Sequence, residues 1–268
     1  MTAPSYLLDT GRELARLRLQ AGVWEPARRD LLGEIGQGTG LRALDVGCGA
    51  VGWLRLLAGW VGPTGSVVGT DVAAPLLGAA RQLVAAEGLG RVEIIEDDLF
   101  ASRLEPASFD LVHARFQLAP IGREAEQLEA YRRWLRPGGI LVLEDPDASS
   151  WRVHPYAPAT AALIELILRA FRGGGGDFDA GRRLPDLLRS LGVDRPRVRT
   201  TVYALEPGHP YLRLPLQFAL SLEARLVPGL VPASQLADLR EAVESELAEE
   251  HAWGTTFTLV SAWGRLPG

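Results

Sequence analysis

The chain lacks several residue types that carry enzyme chemistry. Its 268 residues include no lysine and no asparagine, one cysteine, Cys48, and one methionine, Met1. Without lysine there is no Schiff base, no anchor for pyridoxal phosphate and no phosphate-binding loop that ends in Gly-Lys. One cysteine excludes an internal disulfide, an iron–sulfur cluster and a zinc site made of thiolates. The remaining chemistry relies on carboxylates, histidine, backbone amides or a bound organic cofactor.

Histidine is also scarce, and its spacing argues against a metal site. The four histidines lie about forty residues or more apart, so they cannot form the His-Glu-x-x-His pair of a metalloprotease helix. They are His113, His154, His209 and His251. We therefore expect metal-independent chemistry, with these few histidines as the first candidates for proton transfer.

The bulk composition is typical of a globular protein that acts on a small molecule. Hydrophobic residues make up 47% of the chain and charged residues 23%, which is enough for a sizeable core. The net charge is −5 and there is no basic run, so we expect no nucleic-acid partner. No apolar run reaches the roughly 18 residues of a membrane span. These features favour a cytoplasmic monomer or homodimer without a membrane partner.

Strand and helix patterns alternate in the first half of the sequence. Short apolar strands are predicted at residues 41–46, 66–71, 91–95, 109–113 and 140–144. Helical patterns separate them, and two further helices, starting at Thr10 and Glu25, precede the first strand. Alternation with short connections and nearly all-apolar strands predicts a parallel sheet covered by helices on both faces.

The second half of the sequence breaks this alternation and divides the chain. We predict a helical lead-in at residues 1–40, a core at 41–146, cap helices with remaining core elements at 147–254, and a last core strand at 255–268. Helices are predicted at residues 155–171, 182–191, 211–226 and 232–250, and strands at 198–205 and 255–263. The excess of helices predicts a cap over the strand ends.

A glycine-rich loop at residues 47–52, here called the glycine loop, follows the first predicted strand. It satisfies G-x-G-x-x-G, which by itself suggests a dinucleotide site. Asp45, two residues before the loop, disfavours a pyrophosphate because like charges would meet there, and it favours a cofactor with a positive centre. Asp71 and Asp98 follow the next two strands, so three acidic groups are predicted along one edge of the sheet. Asp97 is interpreted as a solvated loop charge.

The motifs LDVGCGAVG, VVGTD, IIEDDLF, FDLVHARF and LRPGGILVLED, in that order and spacing, resemble those of class I S-adenosylmethionine-dependent methyltransferases. The N-terminal YLLDTGRELARLRLQAGVWEP is similar to the lead-in of actinobacterial small-molecule enzymes of this kind. The resemblance implies an α/β fold: a Rossmann-like, mostly parallel seven-stranded sheet with its last strand antiparallel, N-terminal helices and a helical cap. It implies S-adenosylmethionine as cofactor and S-adenosylhomocysteine as product.

The resemblance also implies roles for individual residues. Gly47 and Gly49 would let the backbone approach the amino-acid tail of the cofactor, and Asp71 would bind the ribose. Asp98, preferred to Asp97, would contact the adenine, and the segment after the fourth strand would face the methyl group and the acceptor. The full set predicted to bind the cofactor is Tyr6, Asp45, Gly47, Cys48, Gly49, Asp71, Val72, Asp98, Leu99, Ala114 and Arg115.

The chemistry of methyl transfer asks little of the protein beyond alignment and exclusion of water, because the sulfonium methyl is already activated. A general base is needed only if the nucleophile must lose a proton. His113 is the first candidate for that role and His154 the second. Glu144, Asp145 and Asp147 raise the question of a divalent metal, but neighbouring strand residues point to opposite faces, and we expect no metal.

The apolar, aromatic cap predicts a small, enclosed, largely apolar or aromatic acceptor, plausible in natural-product biosynthesis. An alternative keeps the fold and cofactor and changes the reaction: a cyclase or other non-methylating enzyme that binds S-adenosylmethionine. A third hypothesis, an NAD-dependent oxidoreductase, is disfavoured by Asp45 and by the turn at residues 136–139.

Overall fold

A seven-stranded sheet forms the centre of the protein in the computed structural model, which describes residues 10–268. Its strands lie in the order β3-β2-β1-β4-β5-β10-β7. β10 is antiparallel to β5 and to β7, whereas β1 to β5 pair in parallel. The predicted Rossmann-like sheet is confirmed. The strands are β1 Arg42–Val46, β2 Ser66–Asp71, β3 Val92–Glu96, β4 Phe109–Arg115, β5 Leu135–Asp147, β7 Arg197–Thr201 and β10 Thr258–Arg265.

The sheet reverses its direction of growth at β1. This strand pairs with β2 on one side and with β4 on the other, so the chain first builds outward to β3 and then returns past β1. Connections on the two sides of such a point leave a crevice at the carboxyl ends of the strands, where open α/β sheets bind ligands. The glycine loop after β1 lies at this crevice.

The helices are α1 Thr10–Ile35, α2 Leu54–Val61, α3 Ala74–Ala86, α4 Leu118–Ile121, α5 Glu124–Trp134, α6 Pro158–Gly173, α7 Leu184–Ser190, α8 Leu214–Ser221, α9 Glu223–Leu226 and α10 Ala233–Leu247. The prediction of two N-terminal helices was wrong, because α1 continues through Pro26. A proline inside a helix removes one backbone hydrogen bond. Trp24 and Leu31, both fully buried, anchor the helix on either side of it. None of the helices in residues 10–268 is both long and apolar enough to cross a membrane.

A cap of helices lines the crevice through α6, α8 and α9, and the same half of the chain forms a second, small sheet. The small sheet has the order β6-β9-β8, from strands β6 Arg152–His154, β8 Ala204–Leu205 and β9 Trp253–Thr255. Two strands predicted as continuous are therefore divided, since β7 and β8 belong to different sheets, as do β9 and β10. Tyr203 and Thr256 mark both divisions: the Tyr203 carbonyl accepts from the Thr256 amide, and the Thr256 hydroxyl accepts from the Tyr203 amide.

Candidate active site

A cavity lies at the carboxyl ends of β1, β2 and β4, between the glycine loop and the cap. Its strand side carries three acidic residues, Asp45, Asp71 and Asp97. Its cap side carries aromatic rings that contact one another. These rings form the phenylalanine cluster, which comprises Phe116, Phe171, Phe178, Phe218 and Phe257.

The glycine loop presents its backbone to this cavity. Gly47 and Gly49 have φ of 62° and 57°, in the left-handed region that favours glycine. A Cβ atom at Gly47 would come within 2.1 Å of Gln117 Nε2, and one at Gly52 within 2.3 Å of Asp45 Oδ2. A Cβ atom at Gly49 would meet only Leu17, at 3.8 Å. The loop is therefore closely packed at its two ends and open to the cavity in its middle.

Asp71, at the end of β2, holds the glycine loop. Its Oδ2 atom accepts from the Gly49 amide at 2.9 Å, and its Oδ1 atom accepts from the Ala73 amide at 2.9 Å, just before α3. Burial raises the pKa of this carboxyl, and the backbone amides oppose the shift. Each carboxylate oxygen has more than one lone pair, so Asp71 retains acceptor capacity for a ligand in the cavity that it lines.

The two aspartates after β3 occupy the opposite environments from those predicted. Asp98 is exposed, and its Oδ1 atom accepts from the Phe100 amide at 2.9 Å in a local turn. Asp97 lines the cavity together with Leu99. Its Oδ1 atom accepts from the Arg103 amide at 3.0 Å, and its buried Oδ2 atom has no hydrogen-bond partner among the described residues. The structure thus places Asp97, rather than the preferred Asp98, in the lining of the cavity.

A buried cluster of charged groups lies beneath the glycine loop. His113 Nδ1 lies 2.7 Å from Asp45 Oδ1, and His113 Nε2 lies 3.3 Å from Glu144 Oε2. Asp45 Oδ2 accepts from the Trp53 amide at 2.7 Å, and Glu144 Oε1 accepts from the Ser261 hydroxyl at 2.6 Å. This carboxylate–histidine cluster joins β1, β4, β5 and β10 to the start of α2.

The cluster favours the charged imidazolium form of His113. Burial disfavours the charged ring, but hydrogen bonds to Asp45 and Glu144 outweigh that cost and raise the pKa of His113 overall. Burial likewise opposes ionisation of Glu144, yet His113 lowers the pKa of this carboxyl overall. Both ring nitrogens face carboxylates, so neither is free to take a proton from an acceptor. The geometry therefore favours a positioning role for His113 over the predicted role of general base.

The remaining predicted site residues fall into three groups. Cys48 and Val72 line the cavity, and burial raises the pKa of the Cys48 thiol. Ala114 is buried on the opposite face of β4 from His113, as alternation along a strand requires. The His154 ring stacks on the Trp253 ring, with ring centroids 4.5 Å apart. Neither Ala114 nor His154 lines the cavity, so the structure does not place them in the roles predicted. Tyr6 lies outside the described residues.

Arg115, at the end of β4, lines the cavity with an unusual environment. Its guanidinium carbon lies 5.1 Å from the centre of the Phe116 ring. Its Nη1 atom is buried and has no hydrogen-bond partner among the described residues. Burial lowers the pKa of Arg115, opposed by the charges of Glu144 and Asp45.

The comparisons with known proteins agree with this geometry. A family model described as a methyltransferase domain matches residues 43–139. The chain is 30% identical over 263 residues to nocamycin O-methyltransferase of Saccharothrix syringae, covering 91% of each protein. The chain belongs to the class I S-adenosylmethionine-dependent methyltransferases. It is 36% identical over 115 residues to demethylmenaquinone methyltransferase of Geobacillus kaustophilus, covering 43% of this chain and 49% of that one.

A solved structure shows the same fold in this methyltransferase family. Phosphoethanolamine N-methyltransferase 2 of Haemonchus contortus, in complex with phosphomonomethylethanolamine and S-adenosylhomocysteine, has a TM-score of 0.55 and 18% identity. The match covers 90% of this chain and 53% of that one. This likeness shows the fold, and membership of the family gives S-adenosylmethionine as the cofactor of this methyltransferase.

The cavity of this methyltransferase fits that cofactor on three structural observations. The glycine loop is open at Gly49, where a ligand can approach the backbone. The Asp97 Oδ2 atom, which no described residue hydrogen-bonds, is an acceptor suited to an amine. Three acidic residues and one guanidinium, Arg115, line the cavity from the strand ends, and this excess of negative charge suits a cofactor with a sulfonium centre and ribose hydroxyls better than a pyrophosphate.

The three acidic residues considered as metal ligands each interact with a different partner. Glu144 belongs to the carboxylate–histidine cluster, whereas Asp145 accepts from the amides of Leu118 and Ala119 at the start of α4. Burial raises the pKa of Asp145 to about 7. Asp147 pairs with Arg182, which lowers its pKa to about 2. Among the described histidine, cysteine and acidic residues, no group of three or more is arranged so that it could hold a metal ion.

Gly49→Ala is expected to weaken binding of S-adenosylhomocysteine about tenfold, because the added methyl group would occupy the open side of the glycine loop. Gly88→Ala is the matched control: Gly88 also has a positive φ, 65°, with nothing near its Cβ position, and it lies at an exposed turn after α3. Both variants should lose about 1–2 kcal/mol of stability from the left-handed backbone. Calorimetric titration that shows equal affinities for the two variants would place the cofactor elsewhere.

Proposed function

We propose that this methyltransferase methylates a small, largely apolar or aromatic organic molecule held beneath the cap, in natural-product biosynthesis. The phenylalanine cluster carries the proposal, because it lines one end of the cofactor cavity with aromatic rings from the cap and the loop after β4. Ligand pockets of this kind are apolar with a few polar groups that orient the ligand. The 30% identity to nocamycin O-methyltransferase, over 91% of both chains, supports the same class of acceptor.

Different residues of the chain would bind the cofactor and the acceptor, on the two sides of the cavity. Asp71 would bind the ribose, Asp97 the adenine amine, and the backbone at Gly47 and Gly49 the amino-acid tail. The cofactor, when bound, supplies a methyl group activated by a sulfonium centre. The phenylalanine cluster would exclude water and align the acceptor, which is the main contribution that this chemistry needs from the protein.

The test measures which class of molecule receives the labelled methyl group. The protein is incubated with methyl-labelled S-adenosylmethionine and an extract of the host organism, which is then separated into small organic molecules, protein and nucleic acid. Label in the organic-soluble fraction, with stoichiometric S-adenosylhomocysteine, is the expected result. Label confined to protein or nucleic acid would contradict the acceptor class. Conversion of an extract component without S-adenosylhomocysteine formation would favour the non-methylating alternative. The Gly49→Ala variant serves as the weakened control.

A further inference from the structure

The phenylalanine cluster connects two guanidinium groups through a chain of aromatic contacts. Each neighbouring pair lies within the distance at which rings, or a cation and a ring, attract each other. In order, the contacts are Arg16–Phe218 at 4.9 Å, Phe218–Phe178 at 5.9 Å, Phe178–Phe257 at 5.3 Å, Phe257–Phe116 at 5.8 Å and Phe116–Arg115 at 5.1 Å. The cavity therefore has aromatic rings on its cap side, acidic groups at the strand ends, and guanidinium groups from α1 and from the end of β4.

The two guanidinium groups differ in the hydrogen-bond partners of their Nη1 atoms. Arg16 Nη1 already donates to Gln20 Oε1 at 2.6 Å. Arg115 Nη1 is buried without a partner in the part of the chain that the structure describes. A buried charged donor without an acceptor destabilises the folded protein. A hydrogen bond to an anionic oxygen offsets that cost better than one to a neutral acceptor. Arg115 thus provides a preformed site for an anionic oxygen beside the aromatic rings.

Apart from Asp71 and Asp97, which the proposed function assigns to the cofactor, the described residues that line the cavity offer no free base to remove a proton from an acceptor. Within residues 10–268, both nitrogens of His113 and both oxygens of Asp45 are already hydrogen-bonded. The Cys48 thiol is held neutral, since burial raises its pKa. A nucleophile that enters as an oxyanion needs no base, because its electron pair is available at neutral pH.

We propose that the acceptor is an organic oxyanion, a carboxylate or the enolate of an acidic enol, on an aromatic or apolar body, and that Arg115 binds this oxyanion. The proposal rests on the proposed function of methyl transfer beneath the cap. The acceptor oxygen supplies the electron pair of the new oxygen–carbon bond. The carbon–sulfur bond breaks, and its electron pair stays on sulfur. Anion and sulfonium become a neutral ester or ether and a neutral thioether, so no proton moves.

The carboxylate of the cofactor tail has the same chemistry, and the experiment separates the two sources. Two fluorescent probes share one aromatic skeleton: 8-anilinonaphthalene-1-sulfonate is an anion, and N-phenyl-1-naphthylamine is neutral. Each is titrated into the protein saturated with S-adenosylhomocysteine, in the wild type, in Arg115→Met and in Arg16→Met. Binding of S-adenosylhomocysteine alone is measured by calorimetry in the same three proteins, and circular dichroism checks their fold.

The wild type is expected to bind the anionic probe at least about tenfold more tightly than the neutral one, the size of one charged hydrogen bond. Arg115→Met should abolish that preference and change affinity for S-adenosylhomocysteine by less than about threefold, whereas Arg16→Met should keep the preference. A wild type without preference for the anion overturns the proposal even if Arg115→Met fails to fold. Loss of S-adenosylhomocysteine affinity with the preference intact assigns Arg115 to the cofactor tail, and also overturns it.

Discussion

Replacing His113 by leucine is expected to destabilise the folded protein by about 3–5 kcal/mol, because it leaves two buried carboxylates without their shared cation. Asp45 and Glu144 are 2% and 0% exposed, so water cannot compensate for the lost ring. The measurement is urea unfolding of both proteins near neutral pH. Since Asp45 also fixes the Trp53 amide, affinity for S-adenosylhomocysteine should fall as well.

His113→Gln is the matched comparison for this variant. A glutamine amide can donate to Asp45 or Glu144 but carries no charge, so the loss of stability should be smaller than in His113→Leu. A loss below about 1 kcal/mol in His113→Leu, the value of one ordinary neutral hydrogen bond, would contradict the imidazolium assignment.

The pH dependence of stability gives a second readout of the same cluster. Because the folded pKa of His113 is raised, its contribution is complete below the unfolded pKa near ~6.5 and is lost as pH rises through the higher folded pKa. Because the folded pKa of Glu144 is lowered, its contribution is complete above the unfolded pKa near ~4.3 and is lost as pH falls. His113→Leu should lose the alkaline decline, measured by urea unfolding from about pH 5 to about pH 9.

The sheet was predictable because its strands carry local information. Alternating strands and helices, joined by short connections, specify a parallel sheet almost independently of the side chains at the site. The chain reversal at β1 then brings the ends of β1, β2 and β4 together. For that reason Asp71 and the glycine loop were predicted at the cavity that they line.

The errors arose where the outcome depends on side-chain direction or distant partners. Asp97 and Asp98 are adjacent, and only the turn formed by the Phe100 amide decides which one faces the cavity. His113 has the right position for a base, but its partner Glu144 lies 31 residues away. The alternation of β5 places Glu144 toward His113 and Asp145 toward α4, a signal that was available in the sequence.

The phenylalanine cluster shows a different limit of sequence reasoning. Its rings come from α6, α8, the segment before α7 and the loops after β4 and β9, so they lie far apart in the sequence. An apolar cap predicts an apolar acceptor in general terms. The burial of Arg115 Nη1 without a hydrogen-bond partner among the described residues, by contrast, follows only from the tertiary packing.

Asp71→Ala is expected to weaken binding of S-adenosylhomocysteine by about 1–3 kcal/mol, or roughly 5- to 150-fold in Kd, the cost of unmaking charged hydrogen bonds. Asp71 contributes to cofactor binding in two ways. Its carboxylate fixes the Gly49 amide of the glycine loop, and the same side chain lines the cavity. Asp71→Asn, which keeps one acceptor oxygen and loses the charge, should fall between the wild type and Asp71→Ala.

Asp98→Ala supplies the matched control, because it removes an acidic side chain after the neighbouring strand, from an exposed position. Its affinity for S-adenosylhomocysteine should stay within about 0.5 kcal/mol of the wild type, the usual range for a surface substitution. The measurement is calorimetric titration of the wild type and the three variants with S-adenosylhomocysteine and, separately, with NADH. Equal affinities in Asp71→Ala and Asp98→Ala would show that the end of β2 does not bind the cofactor. Tight binding of NADH would reassign the acidic edge of the sheet to a dinucleotide.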